Sequence, residues 1–234
     1  MTKTLVITGG SRGIGRATIE RFQQEGYAII NLSRSQPSEE GIIHFTVDLA
    51  KRGELEGLAP RLQDAVAGSE QLVLIHNAGL ISNDSALQLD GDALRSNLEI
   101  NVVSAGILNS ILADHMGPGS VILYIGSTLS EKAVANAASY VVSKHAIIGL
   151  MRATCQDLIG RSIHTAVICP GFTETEMLLA HVGNDQAILD GIASGVIQGR
   201  LVAPEEIAAT LLFCAENPVI NGAVIHANLG QIER

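Results

Sequence analysis

The sequence predicts an α/β protein with a single Rossmann-type domain, in which a doubly wound parallel sheet carries helices on both faces. Short apolar runs alternate along the chain with longer segments of helical period, which is the pattern of β-α-β units. Several of the short runs are apolar almost throughout, as expected for strands that are buried on both faces. A glycine-rich turn directly follows the first of these runs.

We expect strands and helices to alternate over most of the chain. The predicted strands are Thr4–Thr8, Ala28–Leu32, His44–Asp48, Leu72–His76, Ser120–Gly126, His164–Cys169 and Val224–Asn228. The predicted helices lie near Gly15–Gly26, Gly53–Ala67, Asp90–His115, Ala138–Leu158 and Pro204–Ala215. Pro204 followed by two glutamates is typical of a first helical turn, since proline fits there and negative charge stabilises the amino end.

Composition and charge narrow the function classes. The chain has 234 residues, of which 47% are hydrophobic and 17% charged, so it can bury a large core. The formal net charge of −9 argues against non-specific binding to nucleic acid or to an anionic membrane. Three widely separated cysteines are typical of reduced thiols, and no apolar stretch approaches the roughly 18–20 residues of a membrane span or forms a signal peptide. We therefore expect a cytoplasmic protein with one domain over residues 1–234.

The segment Phe172–Arg200 is the least periodic part of the chain. Glycines at positions 183, 191, 195 and 199 punctuate it and could supply hinges. The segment is long enough to form a mobile substrate lid. An ordinary pair of surface helices is the alternative, and the sequence does not decide between the two.

The turn after the first strand is the candidate dinucleotide site. Gly9, Gly13 and Gly15 permit a tight turn and let backbone N–H groups approach a pyrophosphate, while the following helix directs its positive end at that charge. A simple strand-to-helix turn would also explain three glycines, but the position after the first strand of an alternating chain favours cofactor binding. The turn consists of Gly9, Gly10, Ser11, Arg12, Gly13, Ile14 and Gly15.

The end of the second strand distinguishes NAD from NADP. An acidic residue there would bind the ribose 2′-hydroxyl and repel a 2′-phosphate. Here the strand ends in Ser33 and Arg34 without a carboxylate. Arg34 can bind the phosphate through its guanidinium, and Ser33 can donate a hydrogen bond. Arg12 in the glycine turn is a second cation in reach, so we expect NADP(H).

Two further segments fit the same cofactor. Asp48 and Leu49, at the end of the third predicted strand, would meet the adenine edge. Asn77, Ala78 and Gly79 follow the fourth strand and would lie beside the cofactor, because the small residues among them allow close approach. Each segment taken alone is also typical of an ordinary turn.

Tyr140 and Lys144 form the candidate catalytic pair. They are four residues apart in a predicted helix and therefore share one face. A free tyrosine has a pKa of about 10. We expect the nearby ammonium, together with the positive nicotinamide ring of an oxidised cofactor, to lower this pKa toward useful acid–base behaviour. Ser127 lies just after a strand, where its hydroxyl can reach the same pocket.

These motifs together resemble the short-chain dehydrogenase/reductase family, in its shorter branch, over essentially the whole chain. The glycine turn matches the family's TGxxxGxG motif, and the segment after the fourth strand matches its NAG motif, with His76 where the family often has another Asn. The serine, tyrosine and lysine match its S-x12-YxxxK core. These motifs are highly specific for the family when they occur together at this spacing, whereas each motif alone is not. Further matching residues are Asn101 for the family's helix-borne active-site Asn, and Pro170, Gly171 and Thr175 for its PG motif.

The resemblance implies hydride transfer between nicotinamide C4 and a carbonyl carbon. Tyr140 would donate a proton to the carbonyl oxygen in reduction or accept it in oxidation, and Ser127 would hydrogen-bond that oxygen. Lys144 would hold the nicotinamide ribose hydroxyls and lower the pKa of Tyr140. Asn101 would support a water in the proton relay, or would simply satisfy a kink in its helix. The nicotinamide amide would meet the backbone after Pro170, at Gly171, and the side chain of Thr175.

The resemblance is weaker at the carboxyl end. The family often closes with Asp-Gly-Gly after its last strand, whereas this chain reads Asn228-Leu229-Gly230. In relatives this region helps to form a subunit interface and the edge of the pocket, so the departure affects the expected oligomer type and substrate and not the chemistry. Family members usually assemble as homodimers or homotetramers through long helices, here those around Leu94–His115 and Ala138–Leu158.

The sequence leaves the substrate and one alternative function open. A 3-oxoacyl thioester and a small ketone are the leading substrates, and the acidic residues of the segment 172–200 slightly disfavour a strongly anionic one. A non-catalytic NADP(H)-binding sensor or scaffold is the alternative from another class, which the intact serine, tyrosine and lysine set disfavours. A catalytic metal is not expected, because the seven histidines show no HxxH or HExxH spacing.

Overall fold

The computed structural model describes residues 2–183 and 185–231, and within them contains one seven-stranded parallel sheet. The strands are β1 Lys3–Thr8, β2 Ala28–Ser33, β3 Ile42–Thr46, β4 Gln71–His76, β5 Val121–Ile125, β6 His164–Pro170 and β7 Ala223–Ala227. They lie in the order β3-β2-β1-β4-β5-β6-β7, and every neighbouring pair is parallel. The predicted Rossmann-type α/β fold is confirmed.

Eight α-helices surround the sheet in the same described ranges. They are α1 Gly13–Gln24, α2 Glu54–Val66, α3 Gly91–Leu98, α4 Ser104–Leu112, α5 Ala138–Asp157, α6 Glu176–His181, α7 Gln186–Ser194 and α8 Pro204–Glu216. None of the helices in this part of the chain is long and apolar enough to cross a membrane.

The core has two layers, one on each face of the sheet. Side chains of α1 and α8 pack on one face, and side chains of α2, α4 and α5 pack on the other. The residues of β1 alternate between the layers: Leu5 and Ile7 join the first, and Val6 joins the second. All three are fully buried. A central strand therefore reads as a continuous apolar run because both of its faces meet helices.

The strand order reverses between β1 and β4. The chain proceeds from β1 to β2 and β3 on one side, and from β4 to β7 on the other. In open α/β sheets, ligands bind at such a reversal, outside the carboxyl ends of the strands. The loops after β1, β4, β5 and β6 all begin at this edge, and together with the first turn of α1 they contain most of the predicted site residues.

The third strand lies two residues earlier than predicted. β3 spans Ile42–Thr46, so the predicted bounds His44–Asp48 are wrong at both ends. The chain has already turned toward α2 at Asp48, whose N–H donates to the Glu54 carboxylate at 2.7 Å. The Asp48 carboxylate also accepts from the N–H of Ala50 at 3.1 Å. The N–H of Val47 still donates to the carbonyl oxygen of Ser33 at 3.2 Å, so the turn begins directly after this residue.

The helical segment predicted near Asp90–His115 is confirmed, but its hydrogen-bonding period changes along its length. A π-helical turn at Glu99–Val103 separates α3 from α4, and a 3₁₀ turn at Ala113–His115 follows α4. The centre of the π turn is Asn101, whose side chain bonds to the backbone of Leu80. Single π turns inside helices occur frequently at functional sites.

The segment Phe172–Arg200 contains α6 and α7, which matches the surface-helix alternative. Residue 184, between these helices, lies outside the described residues. Gly183 and Gly199 have φ values of +67° and +64°, so two of the four candidate hinge glycines occupy the left-handed region. Movement of this segment as a substrate lid stays a prediction.

His76, the last residue of β4, begins a buried chain of polar side chains. Its Nε2 lies 2.8 Å from Oδ1 of Asn109, and Nδ2 of Asn109 donates to the Tyr124 hydroxyl at 2.7 Å. That hydroxyl lies 2.9 Å from Oγ1 of Thr154. Burial lowers the pKa of His76 to about 4, and the bond to Asn109 offsets only part of this effect. The ring is therefore neutral in the folded protein at neutral pH.

We expect His76→Asn to make the protein less sensitive to acid. The ordinary pKa of 6.5 applies after unfolding, so the unfolded chain takes up a proton that the folded chain resists. The stability that comes from burying the neutral ring is fully present above pH 6.5 and is lost as the pH falls toward the folded pKa of about 4. For wild type this group should remove about 2–3 kcal/mol of unfolding free energy between about pH 7 and about pH 4.5. Urea unfolding at both pH values measures the difference.

The matched control is His145→Asn, which changes an exposed histidine on α5. This variant should lose as much stability on acidification as wild type does. If His76→Asn also lost as much as wild type, the buried ring would not be a source of acid sensitivity.

Candidate active site

The turn between β1 and α1 has a backbone that requires glycine. Gly9 and Gly13 have φ values of +69° and +51°, in the left-handed region. Gly15 is required for a different reason, because a Cβ there would lie 2.3 Å from the carbonyl oxygen of Gly9 and 2.5 Å from Nδ2 of Asn77. The turn is therefore packed directly against the loop after β4.

Hydrogen bonds from the loop after β4 fix this glycine turn. Nδ2 of Asn77 donates to the carbonyl oxygens of Thr8 and Gly9, each at 3.0 Å. The Thr8 hydroxyl accepts from the N–H groups of Asn77 and Ala78 at 3.1 and 3.0 Å. A Cβ at Gly9 would lie 3.0 Å from Cα of Ala78. The segment Asn77–Gly79 thus holds the turn in shape, and its contact with a cofactor stays a prediction.

The amino end of α1 fits the pyrophosphate of a dinucleotide. Arg12 is the N-cap residue, and its exposed side chain makes no cap hydrogen bond. The N–H groups of the first turn, including those of Gly13 and Ile14, are therefore free of a side-chain cap and suited to an anion. Across a narrow gap lies Thr175, whose Cγ2 would be 3.0 Å from a Cβ at Gly13. A side chain at position 13 would fill this cradle.

The end of β2 lies beside the glycine turn. Oδ1 of the fully buried Asn31 accepts from the N–H of Gly10 at 2.9 Å, and its Nδ2 donates to Oγ of Ser33 at 2.8 Å. The Ser33 hydroxyl donates to the carbonyl oxygen of Ser35 at 2.7 Å and lies 3.4 Å from Oγ of Ser11. The structure thus brings the predicted Ser11 and Ser33 together. Asn31 was missed, although a polar residue inside an apolar strand is a detectable signal.

Arg34 borders a cavity of about 510 Å³ at the carboxyl ends of β2 and β3. Its side chain is exposed, and Asp48 and Lys51 also line this cavity. Lys51 was not predicted; its Nζ lies 3.2 Å from the Glu54 carboxylate. The side chain of Leu49 is buried in the core, and Leu49 does not line this cavity; its predicted contact with the adenine stays a prediction. The cavity is large enough for a nucleotide base, and its occupancy stays a prediction.

Ser127 and Tyr140 meet at the carboxyl end of β5. Oγ of Ser127 accepts from the N–H of Leu129 at 3.1 Å, and the Ser127 N–H donates to Oγ of Ser130 at 3.0 Å. These bonds fix Ser127 at the start of a 3₁₀ turn. Burial raises the pKa of Tyr140 to about 12, and a hydrogen bond with the Ser127 side chain offsets part of the rise. The phenol is therefore protonated at neutral pH and able to donate.

Lys144 is buried one helical turn beyond Tyr140. Its Nζ donates to the carbonyl oxygen of Ile125 at 2.8 Å and lies 5.5 Å from the centroid of the Tyr140 ring. Burial lowers the pKa of Lys144 to about 8. The sequence analysis expected the Lys144 ammonium and an oxidised cofactor to lower the pKa of Tyr140. In the protein alone, burial of the phenol raises this pKa instead. A Cβ at Gly79 would lie 3.9 Å from Nζ and 3.8 Å from Oδ1 of Asn101, so both groups face the same space.

Asn101 connects three parts of the site. Its Oδ1 accepts from the N–H of Leu80 at 2.7 Å, and its Nδ2 donates to the Leu80 carbonyl oxygen at 3.0 Å and to Oγ of Ser143 at 2.8 Å. The Ser143 hydroxyl donates to the carbonyl oxygen of Tyr140 at 2.8 Å. Asn101 therefore satisfies the π turn and fixes the loop after β4; its support of a relay water stays a prediction. Ser143 was missed because a serine inside a helix has no distinctive local pattern.

The turn after β6 is closely packed against the end of β7. Pro170 is the last residue of β6, and a Cβ at Gly171 would lie 2.9 Å from Cα of Asn228. Thr175 is the N-cap residue of α6 and accepts a hydrogen bond through its side chain. Leu229 has a φ of +53°. The family that the chain resembles often has glycine at this position. Where the chain departs from Asp-Gly-Gly, the backbone is therefore left-handed at a leucine, although glycine adopts this conformation most easily.

Known proteins with related sequences cover nearly all of this chain. Residues 9–231 match the sequence family described as "Enoyl-(Acyl carrier protein) reductase". The chain is 29% identical to "Carbonyl reductase family member 4" of Xenopus tropicalis, with 96% of each protein covered. It is 28% identical to the 3-oxoacyl-(acyl-carrier-protein) reductase FabG of Salmonella typhimurium, with 97% of this chain and 96% of that protein covered.

A solved structure of a related protein has the same fold as this chain. The short-chain dehydrogenase/reductase from Serratia marcescens superposes on this chain with a TM-score of 0.87 and 28% identity. The superposition covers 99% of this chain and 98% of that one.

We expect Gly15→Ala to disrupt the glycine turn. The new methyl group would overlap the Gly9 carbonyl oxygen, and this backbone atom cannot move without breaking the bonds to Asn77. Such overpacking costs about 1–3 kcal/mol of unfolding free energy. The variant should unfold at lower urea concentration than wild type and bind NADPH more weakly, as measured by fluorescence titration of the folded protein.

Gly149→Ala is the matched control on α5, because a Cβ there meets no atom within 4 Å. It should be neutral or slightly stabilising, since alanine is the better helix former. If both variants bound NADPH like wild type, the close packing around position 15 would have no part in forming the cofactor site.

Proposed function

Because the chain belongs to the short-chain dehydrogenase/reductase family, we propose that it is an NADP(H)-dependent reductase of a 3-oxoacyl thioester or a small ketone. The observation that carries this proposal is the grouping of Ser127, Tyr140 and Lys144 at the carboxyl end of β5, where the buried Lys144 Nζ lies 5.5 Å from the centroid of the Tyr140 ring. The two curated relatives, named as a carbonyl reductase and a 3-oxoacyl-(acyl-carrier-protein) reductase, support the same reaction type.

The proposed mechanism uses the protonation states of the buried residues. When bound, NADPH supplies the hydride that reduces the carbonyl carbon. Tyr140 donates its phenolic proton to the carbonyl oxygen, and the raised pKa keeps that proton available at neutral pH. Ser127 orients the same oxygen by a hydrogen bond. The ammonium of Lys144 stabilises the phenolate that remains after the transfer, because opposite charges attract strongly at a buried site.

The cofactor preference is proposed from the charges at the end of β2. The glycine turn would hold the pyrophosphate, and Arg34 and Ser33 would bind the 2′-phosphate, with Arg12 as a second cation. The absence of a carboxylate between Asn31 and Arg34 supports NADPH over NADH. Asp48 and Leu49 would meet the adenine, and Pro170, Gly171 and Thr175 would meet the nicotinamide end.

The segment 172–200 supports a neutral or weakly charged substrate. Arg200 forms a two-fold ion pair with Glu206, at 2.7 and 2.8 Å, so its guanidinium is already bound. This pair, with the N–H of Ala203, holds the pKa of Glu206 at about 2. The segment therefore presents mainly negative charge to a substrate, and it would close over the substrate as a lid. Its acidic residues are Glu174, Glu176, Asp185 and Asp190.

The proposal extends to assembly and location. The helices around Leu94–His115 and Ala138–Leu158 would form the interface of a homodimer or homotetramer. Each carries an exposed valine: Val103, before α4, is 41% exposed, and Val142, on α5, is 48% exposed. Cys155, Cys169 and Cys214 are unpaired, which supports a reducing compartment such as the cytoplasm.

The proposal is tested by NADPH oxidation across a panel of carbonyl compounds, with NADH in parallel. The panel contains a 3-oxoacyl thioester, a small α-diketone, an aromatic ketone, a steroid, a sugar and an enoyl thioester. We expect turnover of the 3-oxoacyl thioester or a small ketone. Tyr140→Phe should lower kcat by about 10²–10⁴-fold, because it removes the proton donor, and should leave NADPH affinity nearly unchanged.

The matched control is Tyr27→Phe, which changes a buried tyrosine at the start of β2, remote from the loops of the site. This variant should retain wild-type kcat. Full activity of Tyr140→Phe would refute the mechanism. Tight NADPH binding without turnover of any panel compound would favour the sensor or scaffold alternative.

Arg34→Asp tests the cofactor preference separately. The change removes a charge-assisted bond to the 2′-phosphate and introduces repulsion, so the Kd for NADPH should rise by about 10- to 100-fold while that for NADH changes little. Fluorescence titration measures both constants. Arg95→Asp, at an exposed site on α3, makes the same change in net charge and should affect neither cofactor. Equal weakening of NADPH and NADH by Arg34→Asp would mean that Arg34 does not contact the 2′-phosphate.

A further inference from the structure

The helix that carries the proton donor lacks an N-cap side chain of its own. The N-cap residue of α5 is Ala137, which has no side-chain acceptor. The first backbone hydrogen bond of the helix runs from the N–H of Val141 to the carbonyl oxygen of Ala137. The N–H groups of Ala138 and Ser139 precede this bond and need acceptors from elsewhere. Tyr140 is the next residue along the chain.

Asp84 supplies these acceptors from the loop after β4. Its carbonyl oxygen accepts from the N–H of Ala138 at 3.1 Å, and its Oδ1 accepts from the N–H of Ser139 at 3.0 Å. Its Oδ2 accepts a further hydrogen bond from the Ser139 hydroxyl. The two bonds from Ser139 hold the pKa of the Asp84 carboxyl below its ordinary value. A carboxylate at this end of the helix is also favoured by the helix dipole.

The loop that carries Asp84 is itself fixed at several points before it reaches α5. Asn77 binds the glycine turn, and both backbone groups of Leu80 bind to Asn101. Nδ2 of Asn97 donates to Oγ of Ser82 at 2.7 Å. These anchors transmit the position of the cofactor turn to Asp84, because the loop between them has few unconstrained residues.

We propose that Asp84 is a positioning residue for Tyr140. By capping α5 from the loop that also fixes the glycine turn, Asp84 sets the distance between the phenol and the place where the cofactor binds. Ser143 and Asn101 hold the Tyr140 carbonyl on the other side, so Tyr140 is fixed both before and after it in the chain. This inference rests on the proposed function for its effect on catalysis, whereas the capping itself can be measured without activity.

Replacement of Asp84 tests the inference through kcat and affinity together. Asp84→Ala removes the carboxylate and should lower kcat by about 10- to 100-fold, because a small displacement of a reacting group has a large effect on rate. KM for the carbonyl and Kd for NADPH should change by less than about threefold, since Asp84 is not among the residues proposed to contact either ligand. Asp84→Asn should restore most of kcat, because its Oδ1 can still accept from Ser139 and its Nδ2 can donate to a rotated hydroxyl.

The matched control is Asp90→Ala in the same loop. Asp90 caps α3 by accepting from the N–H of Asp92 at 2.9 Å, and α3 carries no proposed reacting group. Asp90→Ala should lower thermal stability in a similar way and leave kcat unchanged. The inference is overturned if Asp84→Ala retains wild-type kcat, if Asp90→Ala lowers kcat equally, or if the loss appears only in KM. If Asp84→Ala does not fold, Ser139→Ala, which removes only the hydroxyl bond, takes its place in the same comparison.

Amide hydrogen exchange of the NADPH-bound protein provides a readout that is independent of turnover. Asp84→Ala should accelerate exchange at residues 138–141 and leave α3 protected, whereas Asp90→Ala should do the reverse. Unchanged exchange at 138–141 in Asp84→Ala overturns the inference whatever the activity. Accelerated exchange in a protein that binds NADPH but reduces nothing would instead refute the proposed function and retain the capping role.

Discussion

The contact between the loops after β1 and β4 is the constraint on which the rest of the site depends. Asn77 binds two successive carbonyl oxygens of the glycine turn, and Gly9 and Gly15 are close enough to that loop to exclude any side chain. Parallel strands bring these loops to one edge of the sheet, but only the close packing fixes their relative position. From there, the loop after β4 extends to Asn101 and to the start of α5, so the glycine turn and the first turn of α5 are joined by one set of hydrogen bonds.

Burial shifts the pKa values of Tyr140 and Lys144, two of the titratable residues of α5, in opposite directions. It raises the pKa of Tyr140 to about 12 and lowers that of Lys144 to about 8, because each shift favours the neutral form. A protonated phenol is the form that reduction of a carbonyl requires. Oxidation of an alcohol requires phenolate, which the Lys144 ammonium, 5.5 Å from the centroid of the Tyr140 ring, would stabilise. The phenol is thus in the form that the proposed reduction requires, as an unperturbed tyrosine would also be at neutral pH.

The fold was predictable because its signals are local. Seven apolar runs with helical segments between them predicted the strands closely, and the glycine turn and the Tyr140–Lys144 spacing predicted two parts of the site. The features that the sequence did not predict arise where distant residues determine local shape. The π turn at Asn101 depends on the backbone of Leu80, and the cap of α5 depends on Asp84, 55 residues before Ser139. Neither partner can be identified from periodicity or from a short motif.

The loop after β4 divides into two parts at Asp84. The part from Asn77 to Asp84 is bound to β1, the π turn and α5. In the following part, Ser85 and Gln88 pair with each other, and Leu87 is 95% exposed. For protein engineering this gives a graft boundary: an exchange of residues 85–89 leaves the anchored part of the loop intact, whereas a graft that begins earlier would replace the contacts that support α5.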